Sequence, residues 1–369
     1  MGKAKIIAAG HICLDITPVF PAGRTYSGVG ELLVPGKLIH MDPADVHTGG
    51  SVANTGLALK ALGNDVILMG KVGADAFGDM VQSILAGHGA GGLLVDPNSS
   101  TSYSVVLAVP GTDRIFLHNP GANDTFVGGD IPEEALEDAV LFHFGYPPLM
   151  KQMYQSGGAE LAAILKRVKS KGIATSLDFA AIDPNSEAGK VDWRALLANV
   201  LPFTDFFVPS FEELCFMLDR KNYDRLAALG GDMLDHLNMD RDVKPLAQTL
   251  LDMGARAVLI KCGTAGMYYR TADLSGVGAR LEWNAQAWSH QEGIQPCFKA
   301  DVVRSATGAG DTSIAAFLTG ILRGKSPGEC AALAAAEGAC AVTAYDALGG
   351  LKPIEELEAR IAAGWQTME

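Results

Sequence analysis

Six short apolar runs punctuate the chain: "KIIAAG" at 5–10, "DVILMG" at 65–70, "AVLFHFG" at 139–145, "ATSLDFA" at 174–180, "DFFVPS" at 205–210 and "RAVLIKCG" at 256–263. Each is bounded by turn residues and is apolar on successive positions. A strand with that pattern needs cover on both faces, which is the condition of a parallel sheet in an α/β fold. Between the runs lie stretches such as "SVANTGLALKALG" and "GAELAAILKRVKSKG", whose apolar residues recur at helical spacing. The expectation is one α/β domain over residues 1–369, doubly wound, with a mostly parallel central sheet flanked by helices. A chain of 369 residues that is 48% hydrophobic and 19% charged can bury such a core.

Two segments break the alternation. Residues 17–46 are rich in Gly and Pro, and residues 99–120 alternate like a hairpin around "PGTD". Together they suggest a small β appendage. It would serve either as a lid over a pocket at the carboxyl ends of the main strands or as a sheet extension where a homodimer forms. A net charge of -13 argues against a nucleic-acid or anionic-membrane surface. No apolar segment approaches the ~20 residues that span a bilayer, and the N-terminal run reads as a first buried strand, so a cytoplasmic protein is expected. The six cysteines, at 13, 215, 262, 297, 330 and 340, form no CxxC pair and read as buried, reduced thiols.

The stretch "SATGAGDTS" at 305–313 sets glycines directly before Asp311 and then opens into the apolar run "IAAFLTGIL". "DVV" at 301–303 reads as a strand end, and the helix is expected to begin at Asp311. Such a junction aims free amides and a positive helix end at whatever lies above it, which suits phosphate. An aspartate at a helix start commonly only caps it. A second stretch, at 47–79, carries Gly49 and Gly50, which let a ligand approach the backbone, and Asn54, which offers a hydroxyl both a donor and an acceptor.

The chain resembles the ribokinase-like (PfkB) carbohydrate kinases. "GGSVANTGLALKALG" followed by "GKVGADAFGD" is similar to that family's N-terminal signature, and "SATGAGDTSIAAFLTG" to its C-terminal one. Asp15, "HNPGAN" at 118–123, "PSFEEL" at 209–214 and "KCGTAG" at 261–266 match between them, so the likeness covers essentially the whole chain. It implies ATP and Mg2+ as cofactors, a small-molecule sugar as partner, and Asp311 as the base that takes the acceptor's hydroxyl proton. The amides of Gly308, Ala309 and Gly310 would form the anion hole. The sugar site would map onto Asp15, Gly49, Gly50 and Asn54. Lys261, Gly263, Gly266 and Thr307 would lie along the nucleotide with Gly308 and Gly310, and Glu213 would handle magnesium through water.

Departures from the pattern also matter. Ser210 stands where the family usually has Asn, and Ser305 and Ala306 replace residues that include a carboxylate of the potassium site, leaving potassium dependence open. Gly145 occupies the place of a sugar-binding glutamate of ribokinases, so ribose is not the expected substrate. Ser51 and Val52 in the "GGSVAN" turn offer no Lys for a phosphorylated acceptor. Arg114 on the lid, a candidate substrate contact, pulls the other way, since Arg favours phosphate. The expected activity is phosphorylation of a primary hydroxyl of an unphosphorylated sugar. An adenosine-type nucleoside kinase and a non-catalytic sensor are the alternatives.

Overall fold

The computed structural model describes residues 5–23, 26, 28–110 and 114–368. Its strands are β1 (Lys5–Gly10), β2 (Cys13–Val19), β3 (Asp42–Gly49), β4 (Asp65–Met69), β5 (Lys71–Gly73), β6 (Leu94–Asp96), β7 (Tyr103–Leu107), β8 (Ile115–Asn119), β9 (Ala139–Gly145), β10 (Ala174–Asp178), β11 (Phe206–Phe207), β12 (Ala257–Lys261), β13 (Met267–Thr271) and β14 (Glu292–Gln295). The main sheet has the order β14-β13-β12-β11-β10-β9-β1-β4. The strands from β4 across to β12 are all parallel and are the six apolar runs of the sequence. The two antiparallel strands β13 and β14, which the sequence did not announce, extend one edge.

Burial explains the runs. Ile6 and Ile7, Leu141 and Phe142, Phe206 and Phe207, and Leu259 and Val258 send neighbouring side chains into different hydrophobic clusters, one on each face of the sheet. Successive strand residues point to opposite faces, so two covered faces require both to be apolar. The predicted helices form at Ser51–Ala61 and Ala159–Ser170. In "GKVGADAFGD" the side chain of Asp75 caps the Ala76–Gly87 helix by accepting from the Gly78 amide at 2.9 Å.

The smaller sheet has the order β3-β2-β7-β8. It takes in the first half of β2, and so Asp15, which lies ahead of the expected 17–46 boundary. The β7–β8 hairpin is antiparallel as anticipated; residues 111–113 of "PGTD" lie outside the described residues. "DVV" is not a strand end, for Val302 and Val303 are exposed. The backbone there bonds sideways instead, with the amides of Arg304 and Ser305 donating to the Val342 carbonyl at 2.8 and 3.3 Å. Among the described residues no helix is long and apolar enough to cross a membrane. All six cysteines are free, and all but Cys297 are buried.

Candidate active site

The helix Ala309–Leu322 is capped by Gly308 in the left-handed conformation, at φ 71°. Helix geometry therefore starts two residues before the expected Asp311, because Gly308 makes the turn that lets Ala309 and Gly310 join the helix. Asp311 is not the cap; it sits in the first turn, 4% exposed. Its Oδ1 accepts from the Thr55 hydroxyl at 3.0 Å, and its Oδ2 accepts from Asn54 Nδ2 at 3.0 Å and the Tyr146 hydroxyl at 2.8 Å. Gly308 has a second constraint, since a Cβ there would lie 2.2 Å from Ala347 Cβ. Gly308→Ala is expected to destabilise the protein by about 2–5 kcal/mol, from left-handed strain plus overpacking, read from the denaturant midpoint.

Two parallel strands deliver the next pair at their carboxyl ends, where ligands of open α/β sheets bind. Lys261 at the end of β12 bonds Asp178 at the end of β10 at 2.8 Å. Burial pushes the Asp178 carboxyl up, Lys261 pulls it back, and Glu213 and Asp311 push it further up. Burial works against the Lys261 ammonium too, yet Asp178, Glu213 and Asp311 outweigh it and raise its pKa. Three carboxyl groups thus surround the one ammonium. Tyr146 follows β9 in the left-handed region at φ 64°. Burial, then Asp311 and Asp178, push its phenol well above the ordinary value, so it remains a donor to Asp311.

A cavity of about 710 Å3 joins these groups. It runs from Asp15, Ser104 and His118 past Asn54 and Asp311 to Glu213, Lys261, Thr307, Gly308 and Gly310. Arg114, Phe116 and His118 line it, and Ile115 and Leu117 between them do not. Gly50 lines it as well, and Gly49 lies against Asp15, where a Cβ would come within 2.2 Å of Oδ2. The structure thus gathers most of the sequence candidates around one space. Gly263 and Gly266 are not among its lining residues. They close the hairpin between β12 and β13, where a Cβ would meet Leu234 and the Gln295 carbonyl.

Several groups escaped the sequence reading: Thr55, Tyr146, Asp178, His11, Ser104 and His118. At Gly145 a Cβ would lie 1.8 Å from Ser51 Oγ, so no glutamate fits there. Ser210 spends its hydroxyl on the Phe211–Leu218 helix, accepting from the Glu213 amide at 3.3 Å, while Glu213 Oε2 accepts from the Ser210 amide at 2.8 Å. Ser305 Oγ and Thr307 Oγ1 are 2.8 Å apart.

The profile of the pfkB family carbohydrate kinases matches residues 13–353. The chain belongs to the pfkB family. It is therefore an ATP-dependent carbohydrate kinase, a phosphotransferase acting on an alcohol group. Fructokinase-2 of Oryza sativa subsp. japonica is 26% identical over 285 residues, covering 75% of this chain and 72% of that protein. Fructokinase-1 of Zea mays is 24% identical over 332 residues, covering 88% and 85%. In fold, this pfkB kinase is similar to the Arabidopsis thaliana ribokinase complexed with ribose and ATP, with a TM-score of 0.70, 19% identity, and 97% and 98% of the two chains covered. The Xylella fastidiosa fructokinase with bound ATP gives a TM-score of 0.69 at 20% identity, covering 98% and 99%.

Proposed function

We propose that this kinase transfers the γ-phosphoryl group of ATP to a primary hydroxyl of an unphosphorylated sugar, with Asp311 taking the hydroxyl proton. The observation that carries the reading is a buried carboxylate, both oxygens held by neutral donors, on the first turn of a helix whose N-terminus opens onto the same cavity. Phosphoryl transfer asks for alignment and charge stabilisation, and a carboxylate fixed at three points supplies the alignment. The amides of Gly308, Ala309 and Gly310 face the developing charge. That of Ala309 is shared with the Ala306 carbonyl at 3.3 Å and must let go to serve. The small sheet acts as the lid over the acceptor.

Charge supports a neutral acceptor. The cavity is lined by Asp15, Asp124, Asp178, Asp183, Glu212, Glu213 and Asp311 against Arg114 and Lys261, a balance that repels a second phosphate. No group of three or more His, Cys, Asp or Glu among the described residues could hold a metal ion by itself. The carboxyl groups around Lys261 nevertheless supply oxygen ligands of the kind a divalent ion arriving on ATP takes. Magnesium would neutralise the phosphates there, with Glu213 meeting it through water.

Two measurements test the reading. Tyr146→Phe removes one bond to Asp311 and is expected to lower kcat about 2- to 13-fold, the worth of one ordinary hydrogen bond. ADP release over a panel of sugars and nucleosides identifies the acceptor, with potassium and choline salts compared. A nucleoside is the second reading, because Phe116, Pro148, Leu149, Phe179 and Ile182 give the cavity an apolar wall suited to a flat base. The Methanocaldococcus jannaschii nucleoside kinase shares the fold at a TM-score of 0.64 and 18% identity. Turnover of nucleosides alone would sink the sugar reading, and binding without any transfer would favour a sensor.

A further inference from the structure

Behind Asp15, three side chains continue a run of polar contacts. Ser104 stands beside Asp15 in register on the neighbouring parallel strands β7 and β2, and its hydroxyl pulls the Asp15 pKa down. His118 Nδ1 lies 3.0 Å from Ser104 Oγ, and His11 Nε2 lies 3.3 Å from His118 Nε2. One consistent set of directions runs through these contacts when Asp15 is ionised. A carboxylate only accepts, so a Ser104 hydroxyl turned toward Asp15 spends its single proton there. Ser104 Oγ must then accept from His118, which puts the His118 proton on Nδ1 and leaves Nε2 bare. A bare Nε2 can only accept, so His11 carries its proton on Nε2.

Two neighbours agree with this direction. Ser102 gives its hydroxyl proton to the Asn119 carbonyl at 2.8 Å and so meets His11 Nε2, 3.5 Å away, as an acceptor. His11 Nδ1 is buried with no hydrogen-bond partner, and leaving an N–H unpaired there would cost a donor its full desolvation. Cys13 adds a thiol donor to Asp15 Oδ1 at 3.2 Å.

We propose that Ser104, His118 and His11 are positioning residues that fix Asp15 as an acceptor for the hydroxyls of the sugar. His118 exerts this hold from the roof strand β8. What Asp15 binds rests on the sugar-kinase reading; the tautomers do not. The titratable groups facing the chain are Cys13 on β2, His47 on β3, Tyr146 after β9, Arg114 at the cavity wall and Asp311 across it. Burial keeps His118 below its ordinary range, and burial together with His118 keeps His11 well below it, so both are neutral near pH 7. Burial pushes the Asp15 carboxyl above its ordinary value, with Asp311 adding to the push, while Cys13, Ser104 and the nearness of His47 oppose the rise without cancelling it.

The first test needs no substrate. In the full-length protein labelled with 15N-histidine, imidazole shifts at pH 7 are expected to show His118 protonated on Nδ1 and His11 on Nε2, both neutral. His118→Asn and a separate His11→Gln variant assign the signals. The opposite tautomer or a charged ring at either position overturns the proposal.

The second test uses the sugar identified by the panel. His118→Ala should raise its KM about 10-fold or more, the worth of a hydrogen-bonded charge, with kcat and the KM for ATP nearly unchanged. His118→Asn, which keeps an N–H toward Ser104, should recover most of the loss. Ser104→Ala should move the acidic limb of kcat/KM to higher pH, because Asp15 loses a bond that lowers its pKa. An unmoved limb, or a loss confined to kcat, overturns the proposal even if His118→Ala fails to fold. A wild type that phosphorylates no sugar would defeat the sugar reading and leave the tautomer result standing.

Discussion

Asp311→Asn is expected to fold, to bind ATP and acceptor, and to turn over about 10²- to 10⁴-fold more slowly, the range lost with a general base. Asparagine keeps an oxygen for Tyr146 and Asn54, which bond Oδ2, so the pocket keeps its shape. It cannot take a proton. Initial rates give the loss, and ligand-induced thermal shifts show whether binding survives. Turnover within a few-fold of wild type would remove Asp311 from the base role.

Lys261→Met should cost stability and not only activity. The ammonium is the partner of Asp178, whose side chain is 1% exposed, at 2.8 Å, and breaking a buried pair from one side costs about 3–5 kcal/mol. The loss depends on pH in a definite direction. Asp178 has its folded pKa raised above the unfolded value by burial. Its uncompensated ionisation therefore removes stability as pH rises through the folded pKa, while the protonated form at low pH is spared. Only the wild type has Lys261 to offset that ionisation. The gap in unfolding free energy should thus be widest near pH 9 and narrow toward pH 5, as denaturant titrations at several pH values would show. A gap independent of pH would mean that lost packing, not charge, explains it.

The parallel strands were legible because cover on both faces forces an unbroken apolar run bounded by turn residues. β13, "MYYRT", and β14, "EGIQ", lie at the sheet's edge, where half-exposed positions such as Arg270 and Glu292 dilute the signal. "DVV" misled for the converse reason: its valines resemble a strand, yet no strand pairs with them.

In the site, glycine clusters and Asn54 were visible as sequence punctuation, whereas Tyr146 and Thr55 reach Asp311 from elements more than 150 residues away in the chain, a relation that exists only after folding. Asp178 did leave a trace. It is the one charged residue in "ATSLDFA", and an acid at the carboxyl end of an otherwise apolar parallel strand has a physical reason to be there. At Gly263 and Gly266 a tight hairpin against Leu234 and Gln295 itself requires glycine.

The roof strand has one more implication. Along β8 and the residue before it, Arg114, Phe116 and His118 meet the cavity and Ile115 and Leu117 do not, and the pairing of β8 sets Leu117 opposite Val105 and Ile115 opposite Leu107. A slip of one residue exchanges the two sets entirely. Inserting or deleting a single residue in the β7–β8 connection would therefore bring Ile115 and Leu117 to the cavity in place of Arg114, Phe116 and His118 without touching Asp311, exchanging a ceiling of one guanidinium and two rings for an aliphatic one.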